Sequence, residues 1–231
     1  MNCTLFINRR HFPMIGMSVA ALVVLFLLGM PARTQEQRAV RPAKMQTKAV
    51  SAGDVFLELA KSVGQTVPAK RLVEYQRVNG LPANGRYWSI VDFNQVSTAK
   101  RFYVFDTQLK RVDAYYVAHG KGSEGANDDG IAEVFSNEEG SNSSSLGIYR
   151  CLDEYNGNHG RSMRVEGLEL TNSNALKRAV VLHTADYVSQ NFIRQTGRLG
   201  RSDGCFAVES SVRDSLIDKL KNGAYIIAWR K

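Results

Sequence analysis

Apolar residues group along this chain in three ways, and each predicts a different element. Residues 14–30 run without a charge and are rich in Val, Leu and Ala, a length on the border between a secretory signal and an N-terminal membrane anchor. The basic stretch 1–13 before this run predicts that its near side stays cytoplasmic and the body faces outward. Residues 33–52 are polar, basic and weakly patterned, which predicts a flexible linker. Val55, Phe56, Leu59, Ala60 and Val63 then recur at helical spacing, so 53–63 predicts a helix. A second follows over 69–78, after Pro68 and before Asn79-Gly80.

From Tyr87 the signal changes. Residues 88–93, 101–105 and 112–117 are short β-branched and aromatic runs separated by turn-like segments, and the last two flank 106–110 as a hairpin. Further strands are expected at 146–150, 163–168 and 179–183. Residues 211–221 read as a helix with Ser210 or Ser211 as cap and Gly223 as stop, and 225–229 as a closing strand. The stretch 120–145 is rich in Gly, Ser and Asn with little periodicity; loops of that length usually carry function or are disordered, and this one is a candidate lid. The expectation is a mainly β fold with a few helices, a β-sandwich or barrel preceded by short N-terminal helices.

Composition sharpens the division. With 231 residues, 44% of them hydrophobic, the chain can bury one sizeable core plus a short accessory segment. The expected organisation is 1–32 as signal or anchor, 33–52 as linker and 53–231 as the folded domain, with 53–80 its helical accessory part. The net charge of +8 raises the question of a nucleic-acid partner, and its distribution answers it. Residues 1–48 hold seven Lys or Arg against Glu36, a net of +6, which leaves only +2 for the body. The body shows neither a base-stacking platform nor a basic helix, so no nucleic-acid partner is expected. Contact with membrane is expected only through 14–30, and an exported, periplasmic or cell-envelope location follows.

Three cysteines remain to be placed. Cys3 precedes the apolar run. Cys151 and Cys205 would share an oxidising compartment, where a disulfide between them is one reading. Cys151, beside Arg150 and Leu152 at a strand end, reads more simply as an inert buried thiol. Cys205 is different, because it closes the run Gly200-Arg201-Ser202-Asp203-Gly204-Cys205. Twenty-two residues upstream, His183 ends the apolar strand Ala179-Val180-Val181-Leu182. A thiol becomes a strong nucleophile on ionisation, and an adjacent imidazole supplies the base. Gly204 allows a tight turn and frees its own amide and that of Cys205 to face a developing oxyanion, while Ser202 brings a hydroxyl near the thiol. Each residue alone reads more simply as packing; the combination points to acyl transfer. Two candidate ligands without a third make a metal site weak.

These residues also carry a resemblance. His183-Thr184-Ala185-Asp186-Tyr187-Val188 and the run from Gly197 to Val208, with its S-x-G-C core, resemble the murein L,D-transpeptidase catalytic-domain family of YkuD type. The likeness extends back through Ala118-His119-Gly120-Lys121, Phe135-Ser136-Asn137, Ser144-Ser145-Leu146-Gly147 and Tyr155-Asn156-Gly157-Asn158-His159-Gly160, covering roughly residues 54–230. It implies Cys205 as nucleophile, His183 as base, the Thr184 carbonyl as the group that orients the ring, and amides around Gly204 as oxyanion donors. It further implies Arg201, Ser202, His159, His119 and Ser144 as residues that bind the peptide stem or shape its pocket. The implied partner is a peptidoglycan stem peptide, and no metal or organic cofactor is implied. Two departures stand out: the family commonly has Arg two residues after the cysteine, where this chain has Ala207, and its nearest branch has Pro where this chain has Phe206. The implied reaction is a transpeptidation giving 3→3 crosslinks. An L,D-carboxypeptidase using water at the same site, or a non-catalytic wall-binding module with Cys151 and Cys205 bridged, are the alternatives.

Overall fold

The computed structural model describes residues 50–79 and 85–231, so the expected leader, nearly all of the linker and the Gly80 stop lie outside the described residues. Among those described, no helix is long and apolar enough to cross a membrane.

Helix α1 (Ala52–Ser62) begins on a reciprocal cap: the Ser51 hydroxyl accepts from the Asp54 amide and the Asp54 carboxylate accepts from the Ser51 amide, each at 3.1 Å. Helix α2 (Thr66–Asn79) takes Pro68 into its first turn, where the missing N–H costs no intrahelical bond. The two helices are not an appendage. Phe56 is fully buried, stacks on Trp88 with ring centroids 4.7 Å apart and meets Phe105 edge-on at 4.9 Å.

Those rings belong to one face of an eight-stranded sheet: β1 (Tyr87–Asp92), β2 (Phe102–Asp106), β3 (Arg111–Tyr115), β4 (Gly147–Gly157), β5 (Gly160–Gly167), β6 (Val181–Thr184), β7 (Phe206–Val208) and β8 (Tyr225–Trp229). The order is β3-β2-β1-β8-β4-β5-β6-β7. The pairs β1/β8 and β6/β7 run parallel and the rest antiparallel, with β2 and β3 forming the expected hairpin. Central strands read as nearly continuous apolar runs because both faces are covered. Trp88, Ile90, Tyr225 and Ile227 pack under α1 and α2. Val91, Ile226 and Ala228 face the opposite core, which helix α4 (Ser210–Leu220) closes with Leu216, Ile217 and Leu220. The sheet curls until its ends meet: Val117, just past β3, bridges Val208 of β7, and the Ala118 amide donates to the Ala207 carbonyl at 3.0 Å. The result is a curled half-barrel rather than two stacked sheets.

Several boundaries differ from expectation for physical reasons. β4 runs on to Gly157 rather than stopping near Arg150, because beyond a register shift between Cys151 and Glu154 it leaves the core as an exposed, polar hairpin arm with β5. Helix α3 (Gln190–Thr196) was not expected; it is short and buries none of its residues, so apolar periodicity carries no sign of it. Helix α4 is capped at Glu209, not at Ser210 or Ser211, and without a side-chain bond. Residues 120–145 are pinned rather than lid-like. Gly120 bridges Ser202, Glu124 bridges Ala132, and the Ser144 amide donates to the Ser123 hydroxyl at 2.9 Å. The element that reaches the site is the β4–β5 hairpin.

Candidate active site

Parallel pairing of β6 and β7 sets His183 opposite Ala207. Leu182 and Phe206 point into the core beneath α4. Side chains alternate along a strand, so His183, Ala207 and, two residues before Ala207, Cys205 share the other side. That register is why Phe206 is apolar and buried although it follows the thiol. Cys205 and Cys151 are both free. Cys151 is wholly buried, and burial pushes its thiol far above the ordinary range.

The turn before Cys205 is built by Ser202, whose hydroxyl donates to the Cys205 carbonyl at 2.8 Å and accepts from the Gly204 amide at 3.1 Å. The Ser202 backbone is fastened on both sides, its amide donating to the His119 carbonyl at 2.9 Å and its carbonyl accepting from the Lys121 amide at 2.8 Å. Gly204 has φ 109°, and a Cβ there would lie 2.6 Å from the Ser143 carbonyl oxygen and 2.9 Å from an Arg178 guanidinium nitrogen. No other residue fits. The expectation that the Gly204 amide faces an oxyanion is corrected, since Ser202 already takes it; the Cys205 amide lies next to it in the same turn.

His183 Nδ1 lies 2.7 Å from the Thr184 carbonyl. A carbonyl only accepts, so the proton of the neutral ring sits on Nδ1 and Nε2 keeps its lone pair. The ring is almost fully buried and stacks at 4.1 Å and 24° on His159, from the exposed tip of the β4–β5 hairpin. Burial lowers the His183 pKa; the Thr184 carbonyl works against this and the His159 charge with it. Burial pushes the Cys205 thiol up, opposed by the Val181 backbone and Arg178 and reinforced by Asp203. Both shifts favour the uncharged forms of the two groups, imidazole and thiol. His159, His183, Tyr187, Arg201, Ser202, Asp203 and Cys205 line one cavity of about 230 Å³.

The remaining expected residues sort by position. His159 is in the cavity, and Ser202 shapes its floor. His119 is not in it: only 1% exposed, it accepts at Nδ1 from Arg101 (2.8 Å) and so donates from Nε2 to Glu124 at 2.6 Å. Burial, with the Arg101 charge, pushes its pKa down to about 4. Ser144 is likewise buried, its hydroxyl accepting from the Gly120 amide at 3.0 Å. Both are closed off from the cavity and brace the loop behind the Gly204–Cys205 turn. Arg201 borders the cavity, but its guanidinium is bound to Glu124 and Asp128. Burial would raise the Glu124 pKa, yet Arg201, the Gly130 amide and His119 hold it at about 2. A free carboxylate-binding arginine is thus not what the turn presents.

Two residues escaped the sequence reading. Tyr187 lines the cavity, and Gly200 makes room for it, since a Cβ there would meet the Tyr187 Cβ at 2.4 Å. Burial, with the Cys205 and Asp203 charges, pushes its phenol up to about 12. The spacing of Tyr187 four residues after His183 was the available signal. Arg178 lies against the same turn, and nothing in the local sequence marks it. Among the described residues, no group of three or more His, Cys, Asp or Glu is arranged to hold a metal ion.

Residues 59–229 match the sequence profile of the L,D-transpeptidase catalytic domain. No curated protein matches the chain. Among solved structures, the chain is similar to an L,D-transpeptidase from Mycobacterium smegmatis at 14% identity and TM-score 0.37, with 63% of this chain and 59% of that one covered. An L,D-transpeptidase from Mycobacterium tuberculosis gives 13% and 0.35, covering 63% and 58%. A Bdellovibrio bacteriovorus protein gives 19% and 0.36, covering 62% and 48%. The match thus spans less than two thirds of each of these chains.

Proposed function

The chain belongs to the L,D-transpeptidase catalytic-domain family, and on that premise we propose that it is a peptidoglycan L,D-transpeptidase working through Cys205. The observation that carries this reading is the His183 tautomer: a basic Nε2, fixed by the Thr184 carbonyl, in the cavity that also holds the thiol. In the first half-reaction His183 takes the Cys205 proton as sulfur attacks the carbonyl of the third stem residue, diaminopimelate. A thioester forms, the amide bond to the terminal D-alanine breaks, and His183 returns the proton to the departing amine. In the second, the side-chain amine of another stem attacks the thioester. A new amide forms, giving a 3→3 crosslink, and the amine's proton passes through His183 to sulfur. The Cys205 amide is the oxyanion donor in this scheme, with Gly204 and Ser202 holding the turn rigid. His159 and Tyr187 form the walls against which the stem lies.

Export on residues 14–30 brings the site to its substrate in the cell envelope, in keeping with the basic residues before that run. Product analysis tests the reading. Purified protein incubated with tetrapeptide stems is expected to yield, by mass spectrometry, a crosslinked dimer lacking one D-alanine. Free tripeptide as the sole product assigns the same thiol to an L,D-carboxypeptidase, and no product with either stem or water as acceptor sinks the enzyme reading.

A further inference from the structure

Three charged side chains border the Gly204–Cys205 turn besides the histidines, and two of them are held in ion pairs. Arg201 is held by Glu124 and Asp128, and the exposed Asp203 by Lys121 at 2.8 Å. Arg178 is held differently. Its Nη1 donates to the Ser136 carbonyl at 2.8 Å and the Ser145 hydroxyl at 3.3 Å, its Nη2 to the Ser143 carbonyl and, at 3.4 Å, the Ser141 hydroxyl. Every acceptor is neutral, all lie in one loop, and among the described residues no carboxylate pairs with it. The same Nη2 and the same Ser143 carbonyl are what a Cβ on Gly204 would strike, so the guanidinium is packed directly against the turn that carries the thiol.

We propose that Arg178 is the positioning residue of the nucleophile: its loop-fixed, unpaired guanidinium braces the Ser143 carbonyl on Gly204 and sets a positive charge beside Cys205 that favours the thiolate. This rests on the reading of Cys205 as nucleophile. A half-buried thiol loses ionisation to desolvation, and a cation held without a counter-charge is the means of recovering part of it. The charge acts on Cys205 in that direction, against burial and Asp203. The other titratable groups facing the thiol are His183, His159 and Tyr187. Burial favours the neutral form of His183 and the protonated phenol of Tyr187, so neither supplies a fixed positive charge. Arginine suits the role because four of its N–H groups can be spent on the loop while the charge remains.

The rate of iodoacetamide labelling of Cys205, followed on the tryptic peptide 202–213 of the full chain across a pH series, tests this without any substrate. Arg178→Gln is expected to slow labelling at neutral pH roughly three- to tenfold and to move its midpoint to higher pH. Arg178→Lys keeps the charge and should stay within about twofold of the parent, whatever its melting temperature. An unchanged midpoint in a folded Gln variant overturns the proposal. So does a Lys variant as slow as expected for Gln, which decides the matter even if the Gln variant does not fold. A failed crosslinking assay would leave this result standing, and an unshifted midpoint would leave crosslinking standing, so the two readings fail separately.

Discussion

His183 and Cys205 line one cavity, and what surrounds each favours its uncharged form. Burial is the largest influence on both, lowering the imidazole and raising the thiol, and the stacked His159 ring adds to the first effect. The sign of the consequence is fixed. A base with a depressed pKa stays unprotonated to lower pH, so the acid limb of kcat/KM, measured over a pH series, should fall below the ordinary imidazole value of 6.5. A limb at or above 6.5 would mean that a partner stabilises the imidazolium, contrary to the geometry. At the same scale Ser202 and Gly204 appear as one device. The hydroxyl closes the turn from inside by bonding Gly204 and Cys205, and the missing Cβ lets Ser143 and Arg178 close it from outside.

At the scale of elements, the site is where two short parallel strands meet a long hairpin. β6 carries His183, the turn before β7 carries Cys205, and the β4–β5 arm brings His159 onto the His183 ring from the far side. The arm is braced on α4 by Arg161, which pairs with Glu154, Asp214 and Asp218. If stacking is what His159 contributes, Phe at this position should preserve most of the activity, whereas His159→Ala should lower kcat/KM roughly tenfold or more by freeing the base ring. Equal losses in both variants, measured with the stem substrate, would point instead to the imidazole's own hydrogen bonding. The strands of the core were legible in sequence because burial on both faces makes runs such as Tyr225–Trp229 apolar throughout. The outer half of β4 was not, since Asp153, Glu154 and Asn156 stand in solvent and the strand there pairs along its length with β5. α3 was hidden for a similar reason: none of its residues is fully buried, and Ile193 packs against a core cluster only partly covered.

The whole molecule explains which candidates became part of the cavity. Closure of the sheet through Val117 and Val208 carries residues 118–124 under the Gly204–Cys205 turn, where His119, Glu124 and Arg201 join in one buried chain of hydrogen bonds that starts at Arg101. His119 and Ser144 could be found from their sequence blocks, but a one-dimensional pattern cannot tell a residue behind the wall from one in front of it. Cys205 and His183, which line one cavity, stand out in the sequence because acyl transfer by a thiol would call for a glycine-flanked cysteine and a base. Arg178 does not, because only the curl of the sheet brings it from the end of one loop to the back of Gly204. The central claim is that Cys205 becomes acylated, and intact-mass analysis after rapid mixing with a tetrapeptide stem tests it most directly. The account predicts a protein heavier by the stem less its D-alanine, with the added mass on peptide 202–213 and absent from Cys205→Ala. Crosslinked or trimmed stem produced by a folded Cys205→Ala protein would contradict it.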